Sequence, residues 1–250
     1  MTLPRVVTID GPAGAGKTTV GRELARRLGL PLVDTGLFYR ALAVAARRAG
    51  LGPGDRSGAA ALARAVRITV ATDPDPPEGA ALARVDGVDV SPHLWDGGQA
   101  DLLAWLAQQG PVRQALLGPQ RRLGGAGGVV LGRDAGSIVF PVAACKLYLD
   151  ASPAVRAARR AQELRQRGAR VDPETVRREV AERDRRDRSR ALAPLAVPAD
   201  AVVISTDRLT LGETVRAALD ACQRAGLVQG VGTPARLRGA TGLEDPGDYA

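Results

Sequence analysis

The chain has 250 residues, 45% of them hydrophobic and 25% charged, and a formal net charge of +8. This balance fits one folded domain with a real core, and no apolar run approaches the roughly 18 residues of a membrane span; the N-terminus lacks the apolar stretch and cleavage site of a signal peptide. The charge is concentrated: residues 151–190 hold thirteen arginines against seven acids, which points to a local anionic target or a solvated helix face.

"RVVTID" (5–10) reads as a short buried strand. Val20, Leu24, Ala25 and Leu28 then recur at helical spacing over 17–28, and Gly29 ends that helix. "LPLVD" (30–34) is a second strand and 37–49 a second helix. This alternation predicts a parallel sheet with right-handed crossovers. Residues 51–60 read as a Gly-rich loop. "VRITVA" (66–71) and "ARVDGVDV" (83–90), joined by the turn "TDPDPPEG", break the alternation and predict an inserted hairpin subdomain. Residues 99–122 are predicted mostly helical, with a break near Gly110-Pro111. "GGVVLG" and "CKLYLD" are two more buried strands. Helices follow over 152–167 and 173–190, then a strand (201–206) and a last helix (209–224). From Gly226 on, Gly, Pro and charged residues predict a poorly packed tail.

Cys145 and Cys222 have no metal-like spacing and read as buried free thiols of a reducing compartment, so a cytoplasmic protein is expected. His93, the one histidine, reads as incidental.

Gly11, Pro12, Ala13, Gly14, Ala15, Gly16, Lys17 and Thr18, with Thr19 beyond, spell G-x-x-x-x-G-K-T-T between a predicted strand and a predicted helix. Small residues let the backbone curl and turn its N–H groups inward, and the helix N-terminus adds partial positive charge. Lys17 can reach the β- and γ-phosphates of a nucleoside triphosphate, and Thr18 can ligate Mg²⁺. Lys17 is one of only two lysines against 33 arginines, which fits a geometric need at that place.

A phosphate loop names the donor and leaves the reaction open. N-K-x-D is absent, and no obvious apolar strand ends in a magnesium-binding Asp. Three clusters stand out instead. In "DTGLFYR", Thr35, Tyr39 and Arg40 could hold an acceptor phosphate; an N-cap and an amphipathic helix would read the same. In "GRDAGSIVF", Arg133 and Asp134 set a fork beside an acceptor, or form a surface ion pair at a turn. In "ERDRRDRSR", Arg183, Arg186, Asp187 and Arg190 share a helix face, as would a solvated, salt-bridged helix. Transfer between two phosphates must neutralise dense charge and exclude water, and an Arg-rich lid suits both needs.

Together, "TIDGPAGAGKTT", "DTGLFYR", "DGVDVS", "PVRQALL", "GRDAGSIVFP" and "ERDRRDRSRALAPL" resemble the bacterial cytidylate kinases over about residues 5–224. The resemblance implies an α/β P-loop kinase fold in residues 1–225. Its parts are a central parallel sheet flanked by helices, an inserted substrate-binding subdomain near 60–100 and an Arg-rich lid near 168–192; 226–250 form the tail. It implies ATP-dependent transfer to CMP or dCMP, with ATP and Mg²⁺ as cofactors. Thr35 and Arg40 would contact the acceptor phosphate, with Tyr39 lining its pocket, and Arg113 and Asp134 would read cytosine. Arg133 and Arg190 would bind phosphates, with Arg183 and Asp187 near ribose and phosphate; Lys17, Arg133, Arg183 and Arg190 would carry catalysis. A monomer acting on small molecules, with no nucleic-acid or membrane partner, is expected. The chain departs from the family pattern at Ala104, where a base-contacting Ser is usual, at Trp95, where an Arg is usual, and at Leu131, where an acid is common. The remaining alternatives are a pyrimidine kinase that also takes UMP and a non-catalytic, nucleic-acid-binding P-loop protein.

Overall fold

The structure is a computed structural model that describes residues 5–76, 82–166 and 168–227. Its main sheet has five strands: β1 (Val6–Asp10), β2 (Leu32–Asp34), β6 (Gly128–Leu131), β7 (Cys145–Asp150) and β8 (Val202–Ser205). They lie in the order β2-β6-β1-β7-β8, all parallel, with Val7 opposite Val129 on one side and Cys145 on the other. The alternation of strand and helix predicts this arrangement. These strands are short and apolar on both faces, as a parallel sheet covered by helices requires.

The two faces separate by residue parity. Val6, Val33 and Val130 point into one cluster with Phe38, Ala41 and Leu42 of α2 (Thr35–Arg48). Val7, Ile9, Val129 and Leu131 point into the other, with Leu24 and Ala25 of α1 (Lys17–Leu28) and Val215 and Ala218 of α8 (Leu211–Arg224). Successive strand residues point to opposite faces, so the fully buried runs of β1 and β6 feed both clusters, and the helices meet them with period-3.6 apolar faces.

Residues 51–60, expected as a loop, instead lead into α3 (Arg56–Ala65), capped by the Asp55 side chain accepting from Gly58 N at 2.8 Å. Its alanines pack close to α5 (Gly110–Gly124), and Asp55 is a helix-starting residue whose cap is visible in sequence. The inserted strands form a separate antiparallel sheet of β3 (Ile68–Val70), β4 (Ala83–Val85) and β5 (Val88–Asp89). The expected single strand 83–90 is two strands, because Asp86 and Gly87 both take positive φ (49° and 83°) and turn the chain back. Asp-Gly is the sequence signal for such a turn. Residues 77–81, which take in the end of the "TDPDPPEG" segment and the two residues after it, lie outside the described residues. The helical stretch 99–122 does break, into α4 (Ala100–Leu106) and α5.

The Arg-rich region forms α6 (Pro153–Gln166) and α7 (Pro173–Arg188), which pack on each other through Ala157, Ala161, Val176 and Val180. Of the expected tail, Gly226 and Leu227 are described: Leu227 is buried in the α1–α8 cluster and its carbonyl accepts from Arg5. Residues 228–250 lie outside the described residues. Cys145 and Cys222, free and buried, stand 3.7 Å apart between β7 and α8. His93 is exposed and pairs with Asp96 at 3.0 Å. Among the described residues no helix is long and apolar enough to cross a membrane.

Candidate active site

Because all five strands run the same way, their C-terminal ends share one edge, and the polar loops that leave them meet there. β1 runs straight into residues 11–16, which curl over the N-terminus of α1. Gly11 sits at φ +143°, and a Cβ there would lie 2.0 Å from the Leu149 carbonyl oxygen, so no side chain is tolerated. Gly16 caps α1 in the left-handed region with no side-chain hydrogen bond, and the first turn holds no acidic residue. The first N–H groups of the helix therefore keep their positive end for an outside anion. Thr18 and Thr19 are exposed in that turn.

Lys17 arches back over the loop, its Nζ donating to the Gly11 and Pro12 carbonyls at 2.7 Å each. Burial, then the nearby Arg133 and Arg183 charges, pulls its ammonium well below the usual lysine range. Part of the residue stays accessible, so this is crowding at the wall of a cleft and not full enclosure.

The loop after β6 supplies the next groups. Asp134 forms an ion pair with Arg113 of α5, whose guanidinium also donates to the Ala107 carbonyl at 3.2 Å. The Tyr39 ring lies 5.8 Å from that guanidinium. Burial raises the Tyr39 hydroxyl to about 12, so it stays protonated as a donor. Arg113, Asp134 and Tyr39 thus form one wall, brought together from three elements.

Arg133 turns the other way, its Nε donating to Asp187 of α7 at 2.9 Å. Asp187 also holds Arg190. Burial alone would raise the Asp187 carboxyl, but Arg133 and Arg190 outweigh it and hold it below the usual range. Arg183 is lowered to about 10 by the protein around it and then by Arg133, while the residue still meets solvent. The Arg190 Nε is buried without a hydrogen-bond partner. The expected single helical face is corrected in two places. Arg190 lies beyond the end of α7, and Arg186 turns outward to Glu182 and to Asp101 of α4.

Two expected phosphate contacts spend donors on backbone carbonyls, although Arg40 lies close enough to Arg133 and Arg183 for their charges to act on one another. Thr35 is buried, its hydroxyl donating to the Leu131 carbonyl at 2.7 Å, which ties the start of α2 to the end of β6. The N-cap of α2 is Asp34, accepting from Gly36 N at 2.9 Å. Arg40 reaches the inserted subdomain, donating to the Leu94 carbonyl at 3.0 Å with its guanidinium 5.7 Å from the Trp95 ring. Burial lowers its pKa.

Sequence reasoning passed over Asp10 and Arg156. Asp10 is fully buried and accepts from Ala135 N at 2.8 Å and Gly136 N at 2.7 Å, which fixes the loop carrying Arg133 and Asp134 to the root of the phosphate loop. Burial raises its carboxyl to about 6. Its signal was a charged residue closing an otherwise apolar strand. Arg156 carried no signal, being one of thirteen arginines in its region.

As to a metal, no group of three or more His, Cys, Asp or Glu among the described residues could hold one. Exposed Thr18 at the mouth of the loop fits a hard ion that brings its other oxygen ligands with it, as Mg²⁺ on nucleotide phosphates does.

Comparison with known proteins places these features in one group. The cytidylate kinase family model matches residues 7–224. The cytidylate kinase of Geobacter sp. (strain M21) is 42% identical over 211 residues, covering 84% of this chain and 89% of that protein. That of Methylococcus capsulatus (strain ATCC 33009 / NCIMB 11132 / Bath) is 42% identical over 223 residues, covering 89% and 98%. That of Pelotomaculum thermopropionicum (strain DSM 13744 / JCM 10971 / SI) is 40% identical over 211 residues, covering 84% and 92%. With a family match that takes in the phosphate loop, the inserted strands and the Arg-rich helices alike, the chain belongs to the cytidylate kinase family.

Proposed function

We propose that the chain transfers the γ-phosphoryl group of ATP to CMP or dCMP, giving ADP and CDP or dCDP. The observation that carries this reading is the pairing of two separately built sites at one sheet edge: a phosphate loop with Lys17, and a wall of Arg113, Asp134 and Tyr39 beyond the Arg133–Asp187–Arg190 cluster.

The loop N–H groups and Lys17 take the β- and γ-phosphates. Mg²⁺, when bound, would be held by Thr18 and the nucleotide, and would neutralise charge on the β- and γ-oxygens. An oxygen of the acceptor phosphate attacks the γ-phosphorus in line; that P–O bond forms as the bond to the ADP oxygen breaks. The attacking oxygen is already anionic, so no general base is needed. Arg133, Arg183 and Arg190 stabilise the charge spread over the transferring group. Arg40 and Thr35 border the acceptor phosphate. Cytosine offers acceptors at O2 and N3 for Arg113 and an amine for Asp134; uracil reverses two of these.

In this reading residues 60–100 act as the substrate subdomain and 168–192 as the lid, and a single chain acts alone in the cytoplasm. The test is kcat/KM by coupled ADP release for CMP, dCMP, UMP, AMP and GMP. CMP and dCMP are expected to be good acceptors, UMP clearly worse, and the purines negligible. Equal use of CMP and UMP would reduce the assignment to a broader pyrimidine kinase. RNA binding with steep salt dependence and no turnover would favour the nucleic-acid reading.

A further inference from the structure

The ion pair with the most deeply buried arginine among the described residues lies beside the proposed site and touches no part of the acceptor wall. Arg156 of α6 is 1% exposed, and Asp184 of α7 is 5% exposed. Every arm of the guanidinium is used. Nε donates to the Ala151 carbonyl at 2.8 Å, at the end of β7. Nη1 donates to Asp184 Oδ1 at 2.8 Å and to the Ala13 carbonyl of the phosphate loop at 3.3 Å, and Nη2 donates to Asp184 Oδ2. A Cβ on Gly14 would stand 3.1 Å from the Arg156 Cβ, so the phosphate loop rests directly on this residue.

The apolar contact between α6 and α7 is built mainly from Ala157, Ala161, Val176 and Val180. Side chains this small and alike specify register poorly, because a helix can slide over them at little loss of contact. A buried ion pair adds little net stability over an apolar pair, and its best-attested use is to fix register. Asp184 is well placed for that. Its chain neighbour is Arg183, and Asp187, which holds Arg133 and Arg190, lies one turn further along α7.

We propose that Arg156 and Asp184 are positioning residues for phosphoryl transfer: they lock α7 in register against the phosphate loop, so that Arg183 and the arginines held by Asp187 meet the group that Lys17 holds. The inference rests on the site reading above, in which Arg183 serves the transferring group. It predicts a defect in the chemical step, because misplacement by about 1 Å can cost about a hundredfold in rate.

The experiment is a cycle of Asp184→Asn, Arg183→Ala and the double variant, with kcat and KM at saturating ATP, circular dichroism and melting temperature. Asp184→Asn keeps the shape and removes the charge. In a folded protein assayed well below its melting point, kcat should fall about ten- to hundredfold while KM for CMP moves within about twofold. In the Arg183→Ala background the same change should cost measurably less, since the part of its effect that passes through Arg183 is already lost, while the part that passes through Arg133 and Arg190 remains. Additive losses in the cycle, or a raised KM with intact kcat, overturn the positioning role. Intact turnover in Arg183→Ala alone overturns the site reading and this inference with it. Should Asp184→Asn fail to fold, Arg156→Lys, which keeps the charge and loses the two-pronged geometry, takes its place under the same criteria.

Discussion

Arg133 Nε lies 2.9 Å from Asp187 Oδ2, although 54 residues separate them, and Arg190 holds the other oxygen of the same carboxylate. One buried anion thus keeps two cations together where like charges would otherwise push them apart. That arrangement suits a group whose negative charge spreads during transfer. Arg190→Ala is expected to lower kcat by about 10³-fold, the range for an arginine that stabilises a phosphoryl transition state, with little change in KM for CMP. Steady-state kinetics at saturating ATP checks this. Unaltered turnover with a raised KM would make Arg190 a ground-state contact instead.

Lys17 donates to two loop carbonyls at the start of α1, beside helix N–H groups that no acidic side chain caps. Lys17→Ala should therefore remove most activity, by about 10²-fold or more. The melting temperature should move by no more than about 4 °C, the shift of roughly 1 kcal/mol in a chain of this size. Turnover and thermal unfolding are measured on the same preparation. Near-normal turnover would remove the phosphate loop from the mechanism.

Asp134 accepts from Arg113, and the proposed pose adds the cytosine amine. Asp134→Asn can turn its amide to donate to the uracil O4, which the carboxylate opposes. The ratio of kcat/KM for CMP over UMP should shrink by about tenfold, within the roughly 1–3 kcal/mol of a base-reading contact. The absolute rate with CMP should also fall, because Arg113 loses its charged partner. A ratio unmoved by the substitution would place base selection elsewhere.

Asp10 ties stability to pH in an unusual direction. Its carboxyl is raised to about 6 in the fold from 3.8. A raised folded pKa means a contribution that is fully present below the unfolded value and lost as pH climbs through the folded one. From about pH 4 to pH 7 the native protein should lose roughly 2 kcal/mol of stability through this one group. Asp10→Asn cannot titrate there and should lack that component. Urea unfolding of both proteins at pH 4.5 and 7 should show their difference changing; a constant difference would mean that the two backbone N–H groups, and not burial, govern the carboxyl.

Much of this molecule is determined by local chemistry. The glycines at 11, 14 and 16 with Lys17 and Thr18 make a phosphate loop wherever a strand feeds a helix, because the loop uses its own backbone. The consecutive valines of β1 and β6 and the period-3.6 face of α1 call for a parallel sheet covered on both sides, since both strand faces are apolar and must be buried. The same local rules contained the Asp55 cap of α3 and the Asp86-Gly87 turn, which Gly-rich composition had hidden.

The motifs already singled out Arg40, Arg113, Arg133, Arg183 and Arg190 among 33 arginines; tertiary structure alone decided which carboxylates and carbonyls each arginine meets. Arg186 and Arg190 are four residues apart, yet one lies exposed and donates to Asp101 at 2.9 Å while the other is largely covered and held by Asp187. Arg156 is buried for the same kind of reason: Ala13, Ala151 and Asp184 converge on it from three separate segments. A guanidinium can be buried only where several acceptors meet, and such meetings depend on how distant segments pack, which no local spacing encodes.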